Sequence, residues 1–307
     1  MLGANRDRDA SAAKTAPPLT GDAQVDWKGN GPFVVLQLLP LGIIWSGCHR
    51  QDLLLCLVLY YTRMFFVSAG FHRYFAHRTY KMGRSMQFLM CLGGTLALQA
   101  GMMRWVANHR AHHKYTDTPK DPHSARPEAR PANWSGFWWS HIGWILCSRM
   151  QSSDEVSKEF AAYPELLFLE RHDRWPPICL AGLVLWLFGW SGLFAGFCLS
   201  TFLLYHGTFS INSLNHRFGR RRYDTGDDST NSFLLAVVSM GEGWHNNHHH
   251  YQRSAAQGFF WWELDPSYYL LKCLEGLGLV QEVARPPAKA LIRDRLPTAL
   301  RRRDRAA

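Results

Sequence analysis

Fifteen histidines stand in a chain of 307 residues, and most of them fall into short, regular groups. His72-Arg-Tyr-Phe-Ala-His77 is an H-x4-H. His109-Arg-Ala-His112-His113 and His245-Asn-Asn-His248-His249 are both H-x2-H-H. Asn212 and His216 form a further pair four residues apart. Neutral imidazole is the commonest side-chain ligand for transition metals and suits Fe, Zn, Cu and Ni. The three groups plus His216 supply nine imidazoles, more than one ion can use, so the count points to two metals. Carboxylates are scarce: residues 53–116 hold no Asp or Glu, and Glu242 is the nearest to the third group. A Glu-rich bundle with E-x-x-H pairs is therefore excluded in favour of a pair of metals held almost wholly by imidazole.

The spacing sets expectations for geometry. On an α-helix residues i, i+3 and i+4 share a face, so each H-x2-H-H is expected to aim three imidazoles at one spot. Asn212 and His216 are expected to share a helix face in the same way. Two α-helical residues five apart diverge by roughly 140°. His72 is therefore expected to end a helix, with His77 on the turn beyond it. His49, His141, His172 and His206 are read as structural or solvated, and His123 and His250 as neighbours of the groups rather than members.

The elements that must carry these residues are apolar helices. Residues 31–47 carry no charge, and 53–71 carry only Arg63. Each is long enough to cross most of a ~30 Å hydrocarbon core. Pro40 is expected to kink the first, and Arg63 to face protein or reach the interface. The uncharged stretch from Ile178 to Leu214 would be about 55 Å long as one helix, too long for one crossing, so Gly189-Trp190-Ser191-Gly192 is read as a turn. Four spans result, near 31–47, 53–71, 175–190 and 193–215. Residues 85–103 are read as a glycine-broken helix at the interface or under the cap. The fold class expected is an all-α membrane protein: two transmembrane hairpins below a cytoplasmic helical cap (72–174 and 217–285) that holds a His-rich di-metal site. Residues 1–30 are read as a polar tail and 286–307 as a basic one.

Composition agrees. Hydrophobic residues make up 47% and charged residues 19%, which excludes wholesale disorder, and a mean hydropathy of −0.20 excludes a chain lying wholly in lipid. Seven cysteines with no C-x-x-C pair do not form a disulfide framework, which suits a reducing compartment. The net charge of +10 gathers on one side of the expected spans, including Arg220–Arg222 and Arg301–Arg303. That is the positive-inside pattern, which assigns both termini and the histidines to the cytoplasmic side and explains the charge without nucleic acid. An apolar signal segment is not seen near Met1.

These residues carry a resemblance. HRYFAHRTY (72–80), NHRAHHKYTDTPKDPH (108–123), FWWSHIGWIL (137–146), NSLNHRFG (212–219) and GEGWHNNHHHY (241–251) resemble, in text and in order, the membrane-bound fatty acid desaturases of the acyl-CoA delta-9 type. The resemblance covers roughly residues 30–285. It implies two non-haem irons bound by His72, His77, His109, His112, His113, His216, His245, His248 and His249, with Asn212 reaching a metal through water. It implies a reaction that takes O2 and two electrons, removes two hydrogens from a saturated long-chain acyl-CoA and leaves a cis double bond. Acyl-lipid and acyl-carrier-protein substrates fit the same scaffold. Trp105 is the candidate wall residue of an acyl tunnel. Asn108, Asp121, Glu242 and Asn246 are candidate acceptors for ring N–H groups of the ligands, with Asp227 and Asp228 further candidates. Asn108 departs from the Asp of many relatives, and PEARPANWS (127–135) reads as an insertion. An HPGG haem-binding motif does not occur, so electrons are expected from a separate partner: cytochrome b5, a ferredoxin or a flavoprotein reductase. The rival readings are an acyl hydroxylase on the same scaffold and a non-catalytic membrane protein that binds metal or lipid.

Overall fold

The structure is a computed structural model that describes residues 25–124, 134–147 and 151–297. The first 24 residues, most of the 127–135 segment and the end of the basic tail lie outside the described residues.

Among the described residues, three helical runs are long and apolar enough to cross a membrane: Gly29–Ser46, Arg50–Ala76 and Trp175–Ser213. The first begins as α1 (Trp27–Leu38), tightens into a 3-10 turn over Leu39–Gly42 at Pro40, and resumes over Ile43–Ser46. Proline removes a backbone donor and fixes φ, which accounts for the change of pitch there. The second run is α2 (Arg50–Phe65) continued without a break by a π-helix over Phe66–Ala76. The third run, 39 residues, is interrupted at Gly189, whose φ of +66° no other residue type adopts cheaply. The break falls at the start of the stretch, 189–192, where a turn is expected. Gly189 lies inside α3 (Trp175–Ser191), which the π-helical Gly192–Cys198 and α4 (Leu199–Ser213) follow.

Arg63 faces protein. It is fully buried, donates to Thr201 Oγ1 at 2.7 Å and Ser200 Oγ at 2.6 Å, and lies over the Phe197 ring. Its charge is thereby spread over hydroxyls and a π-face rather than neutralised by a carboxylate.

The cap is built on α2's π-helical end. A helix over Arg84–Thr95 packs against it, and a second over Met102–Tyr115 crosses it. Phe71, Phe75, Met90, Met102, Met103, Val106, Phe160 and Leu166 form the buried cluster that joins them. Burying each such side chain contributes about 1.5–3 kcal/mol. The glycines that break the 85–103 stretch serve this packing: a Cβ on Gly94 would stand 2.3 Å from the Phe71 ring. The stretch holds one 12-residue helix, Arg84–Thr95, packed against the π-helix, and then a loop.

Three more elements belong to the cap. One helix (His245–His250) carries the third histidine group. Strand β1 (Lys81–Met82), just past His77, pairs antiparallel with β2 (Val280–Gln281). After β2 the chain continues in contact with the cap through a helix over Ala288–Ile292 and on to Leu296. The basic tail expected from residue 286 is, over its first eleven residues, part of the folded cap.

Candidate metal centre

The nine expected histidines come together, and they divide into two clusters. His72, His77, His109, His113 and His248 each place a ring nitrogen within 4.8 Å of all the others; His112, His216, His245 and His249 do the same. The expectation that each H-x2-H-H aims all three rings at one spot is corrected. His109 and His113 serve the first cluster, while His112 turns to the second. His245 and His249 serve the second, while His248 turns to the first. The reason is angular. At about 100° per residue, i and i+4 lie 40° apart, but i+3 and i+4 lie 100° apart. Two facing helices therefore each send their i,i+4 pair one way and the i+3 ring the other.

The H-x4-H meets its expectation in part: His77 stands on the turn just past the helix. His72 does not end its helix. The π-helix runs on to Ala76, and the His77 N–H donates to the His72 carbonyl at 3.2 Å, an i→i+5 bond. That wider turn stacks residues five apart, and the two rings lie 4.9 Å apart. His216 also departs from expectation: the helix ends at Ser213, and His216 stands in the turn beyond it, whereas Asn212 remains on the helix.

Within the clusters the Nε2 atoms face one another. His77 and His109 approach to 2.7 Å, His109 and His113 to 3.0 Å, His113 and His248 to 2.9 Å, and His72 and His248 to 3.0 Å. In the second cluster His216 and His245 stand at 3.0 Å, His112 and His249 at 3.3 Å. Burial pushes His77, His109, His113, His245 and His248 well below the ordinary histidine value, and neighbouring imidazoles push them further. Neutral rings converging lone pair to lone pair suit a cation between them.

The opposite ring nitrogens support this. His112 Nδ1 meets Asp121 at 2.9 Å, His249 Nδ1 meets Asp227 at 2.8 Å, His216 Nδ1 meets Asp117 at 3.2 Å, and His72 Nδ1 meets Glu242. A carboxylate at Nδ1 holds the proton there and leaves Nε2 as a lone pair aimed at the centre. Burial would raise the carboxylates, but their imidazole partners outweigh it: Asp117, Asp121 and Asp227 fall below the usual range and Glu242 to about 2. Burial would lower His216, yet Asp117 lifts it to about 9. The donor set fits two metal ions.

Asp121, Glu242 and Asp227 each lie at a ring nitrogen, and two other candidates do not. Asn108 takes an N–H from Gln151 at 3.0 Å and donates to the Arg104 carbonyl at 2.9 Å. Asn246 accepts the N–H groups of Arg222 and Tyr223, both at 2.8 Å, and so pins the loop that carries Asp227. Neither touches a ring of either cluster in those bonds; amides near the boxes are taken up by backbone groups. Asp228 contributes its backbone N–H to Asp117 at 2.7 Å. Asp117 was missed, although it stands four residues before Asp121 in TDTPKD. It adopts a left-handed φ of +57° that turns it back to His216. Gln257, which bonds Glu242 at 2.9 Å and lies 3.2 Å from His72 Nδ1, had no signal in the sequence. His123 stacks on His112 and shares Asp121. His250 stacks on Tyr223. His141 and His206 bond each other at 3.0 Å between helices.

A cavity of about 950 Å³ reaches both clusters. Its lining includes His72, His109, His112, His245, Glu242 and Asn212, and also the apolar Trp190, Leu193 and Phe194. Trp105 forms part of its wall, stacked on His109 with ring centroids 5.0 Å apart, its Nε1–H donated to Gln99 at 3.3 Å.

The family profile described as fatty acid desaturase matches residues 51–272. This chain belongs to the fatty acid desaturase family. It is 36% identical to an sn-1 stearoyl-lipid 9-desaturase of Anabaena variabilis, over 85% of this chain and 94% of that protein. It is 34% identical to an sn-2 palmitoyl-lipid 9-desaturase of Nostoc, over 91% and 97%. It is 36% identical to an acyl-CoA C20 Delta5-desaturase of Anemone leveillei, over 85% and 84%. Relatives of this desaturase thus act on lipid-bound and on CoA-bound chains, and the narrower acyl-CoA delta-9 assignment does not follow from them.

Proposed function

We propose that this desaturase introduces a cis double bond, at carbon 9, into a saturated long-chain acyl group, with two irons held by the nine histidines. The observation that carries the reading is the convergence of nine imidazoles in two clusters, four of which line a largely apolar cavity of about 950 Å³. Two irons would supply the O2 activation and hydrogen abstraction that an unactivated methylene requires and that no side chain can provide.

The chain's own residues do the rest. His72, His77, His109, His113 and His248 would hold one iron and His112, His216, His245 and His249 the other, with Asn212 within reach through water. Glu242, Asp117, Asp121 and Asp227 fix the rings. The apolar wall from Trp105 to Phe194 binds the chain extended and keeps water away from it. Binding holds the chosen carbons beside the metals, and proximity selects the bond that breaks. The balance is a saturated chain, O2, two electrons and two protons giving the unsaturated chain and two waters. The reductant is a separate electron carrier. The four-span reading, with Gly189 at the turn of the second hairpin and the clusters on the cytoplasmic side, is supported by the helix lengths and the basic residues.

The acyl carrier is either CoA, as the sequence motifs favour, or a membrane lipid, as the relatives with the fullest coverage favour. The test is expression in a yeast lacking its own delta-9 desaturase, with gas chromatography and mass spectrometry of each lipid class. New cis-9 monounsaturated acids are expected, and His248→Ala is expected to abolish them. Hydroxy acids in their place would support the hydroxylase reading instead. Supplying acyl-CoA or acyl-lipid to the purified, reduced protein separates the carriers.

A further inference from the structure

The cavity has a rim on the outer surface of the spans. On α1 its lining includes Gly29, Pro32 and Val35, spaced three apart and so on one helix face. All three are exposed, Val35 by 54%. At the start of α3 the lining includes Arg174, Ile178 and Ala181, again on one face, and Ile178 is 55% exposed. A side chain that lines a cavity and also stands open at the surface of a span marks the edge of an opening. The packing agrees. α1 packs on α4 and on the helix over Trp144–Leu146, and α3 packs on the π-helix over Gly192–Cys198, but neither packs closely on the other. Further along, Leu39 and Ala181 both lie against the buried cluster of Val184, Phe197 and Cys198, where the gap narrows. From Gly29 to Val35, and from Arg174 to Ala181, the open edge runs about 10 Å along each helix.

The gap begins at the level of lipid headgroups. Trp27 and Trp175 are the first residues of α1 and α3, and both are exposed. Indole rings at the ends of spans settle at the membrane–water boundary. At the same level the lining turns polar, with Asn30 one turn into α1 and Asp173 and Arg174 just before α3; Arg104 joins them. Arg104 and Arg174 are exposed, and a guanidinium is a forked donor that matches a phosphate. Past this rim the lining is apolar on both sides, with Phe33, Leu36 and Leu39 on α1 and Ile178 and Ala181 on α3. A chain that belongs to a membrane lipid cannot leave the bilayer cheaply, since each CH2 drawn out of hydrocarbon costs about 0.8 kcal/mol. It needs an entrance from the side, so that it passes from hydrocarbon to apolar wall without crossing water. A chain on a soluble carrier needs only an opening to water, and a gap between spans does nothing for it.

We infer that the gap between α1 and α3 is a side entrance through which one acyl chain of an intact membrane glycerolipid passes into the cavity, while its phosphate stays at the rim by Arg104 and Arg174. The inference rests on the proposed desaturation and names its carrier: the double bond is made in a chain still esterified to glycerol. The rim's charge agrees with a single phosphate diester, because its two guanidiniums stand beside the Asp173 carboxylate. The pyrophosphate and 3′-phosphate of CoA would bring more negative charge to the same place.

The test uses the full chain in nanodiscs that contain phosphatidylcholine with a diazirine at mid-chain, followed by irradiation and peptide mapping by mass. Adducts that carry the whole phospholipid are expected inside the cavity, at Phe33, Leu36 or Phe197, as well as on the outward-facing Leu38 and Leu183. Filling the gap with Val35→Trp and Ile178→Trp together is expected to lower the inner adducts at least tenfold and to leave those at Leu38 and Leu183 unchanged. Thermal unfolding at the wild-type temperature separates a closed gap from a misfolded chain, and the single variant Ile178→Trp serves if the pair does not fold. Phospholipid adducts confined to the outer face of the wild-type spans overturn the inference without any variant. So do inner adducts that persist when the gap is filled. If a diazirine-bearing acyl-CoA labels the cavity and the phospholipid does not, the side entrance falls and the desaturase reading stands with CoA as carrier. A phospholipid chain seated in the cavity of a metal-loaded, reduced protein that desaturates neither carrier would sink the desaturase reading and leave the entrance standing.

Discussion

The two histidine clusters share two helices, Met102–Tyr115 and His245–His250, but are held in opposite ways. In the second cluster three of four rings rest on a carboxylate at Nδ1: His112 on Asp121, His216 on Asp117, His249 on Asp227. In the first cluster only His72 has one, Glu242, and that carboxylate is shared with the buried Arg73 at 3.1 Å. Arg73 also pairs with Asp265 at 2.9 Å and donates to the Ala255 carbonyl at 2.6 Å. Arg110 braces the same region, donating to the Phe75 carbonyl at 3.0 Å and to Glu159 at 2.6 Å. The second cluster is oriented through its ligands. The first is oriented through its backbone, by the π-helix and two guanidinium clamps. The lesson is that the same ring geometry can be fixed from the ring's far nitrogen or from the chain that carries it. The two modes should fail differently.

The largest expected difference follows from Arg73→Met. Removing one member of a buried charged network leaves the others uncompensated, at a cost of about 3–5 kcal/mol. Glu242 and Asp265 would both be left so. The variant is expected to lose stability by that amount in thermal unfolding and to lose the first cluster's geometry with it. A change below about 1 kcal/mol would show that the clamp is not what holds the first cluster.

A smaller and more selective effect is expected from Asp117→Asn and Asp227→Asn. Asparagine keeps an acceptor for the ring N–H but not the charge. Partners of this kind affect metal affinity by about 10–100-fold. Each variant is expected to fold normally and to bind one metal of the pair with that loss, read by stepwise Co(II) or Fe(II) titration. Equal loss of both metals would break the distinction between the clusters.

The sequence made the nine histidines legible because their spacing is regular and their neighbours are apolar. It made the break at Gly189 legible because an uncharged run of about 55 Å is too long for one straight crossing. It did not reveal how the rings divide. His112 and His113 are adjacent in the chain, and only the position of a second helix opposite them decides that they part. Nor did it reveal the π-helix: FVSAGFHRYFA has no residue that marks a wider turn, and the α-helical angle argued against His72 and His77 sharing one helix. Asp117 was hidden for a related reason. Its value lies in a left-handed backbone angle, and Asp in that conformation leaves no trace in spacing. Asn108 and Asn246 misled because adjacency to a ligand in sequence is not contact with its ring.

The smallest effect tests the brace on the first cluster. Glu159 accepts from Arg110 at 2.6 Å and also pairs with Arg78, the residues that follow His109 and His77. Burial would raise its carboxyl, but the two guanidinium groups outweigh that and hold it below the ordinary glutamate value. A carboxyl with a depressed folded-state pKa contributes stability above its unfolded value and loses it as pH falls through the folded one. All three side chains are about one-third exposed, so solvent screens the pair and its contribution is at most about 1 kcal/mol. Glu159→Gln is therefore expected to be slightly less stable than wild type at pH 7. The gap should begin to close as pH falls below the ordinary glutamate value of about 4.3 and vanish once pH has fallen through the lower folded one, where wild-type Glu159 takes up its proton. A gap that stays constant with pH would mean that Glu159 acts by packing alone, and the first cluster would then rest on Arg73 and the π-helix without this outer brace.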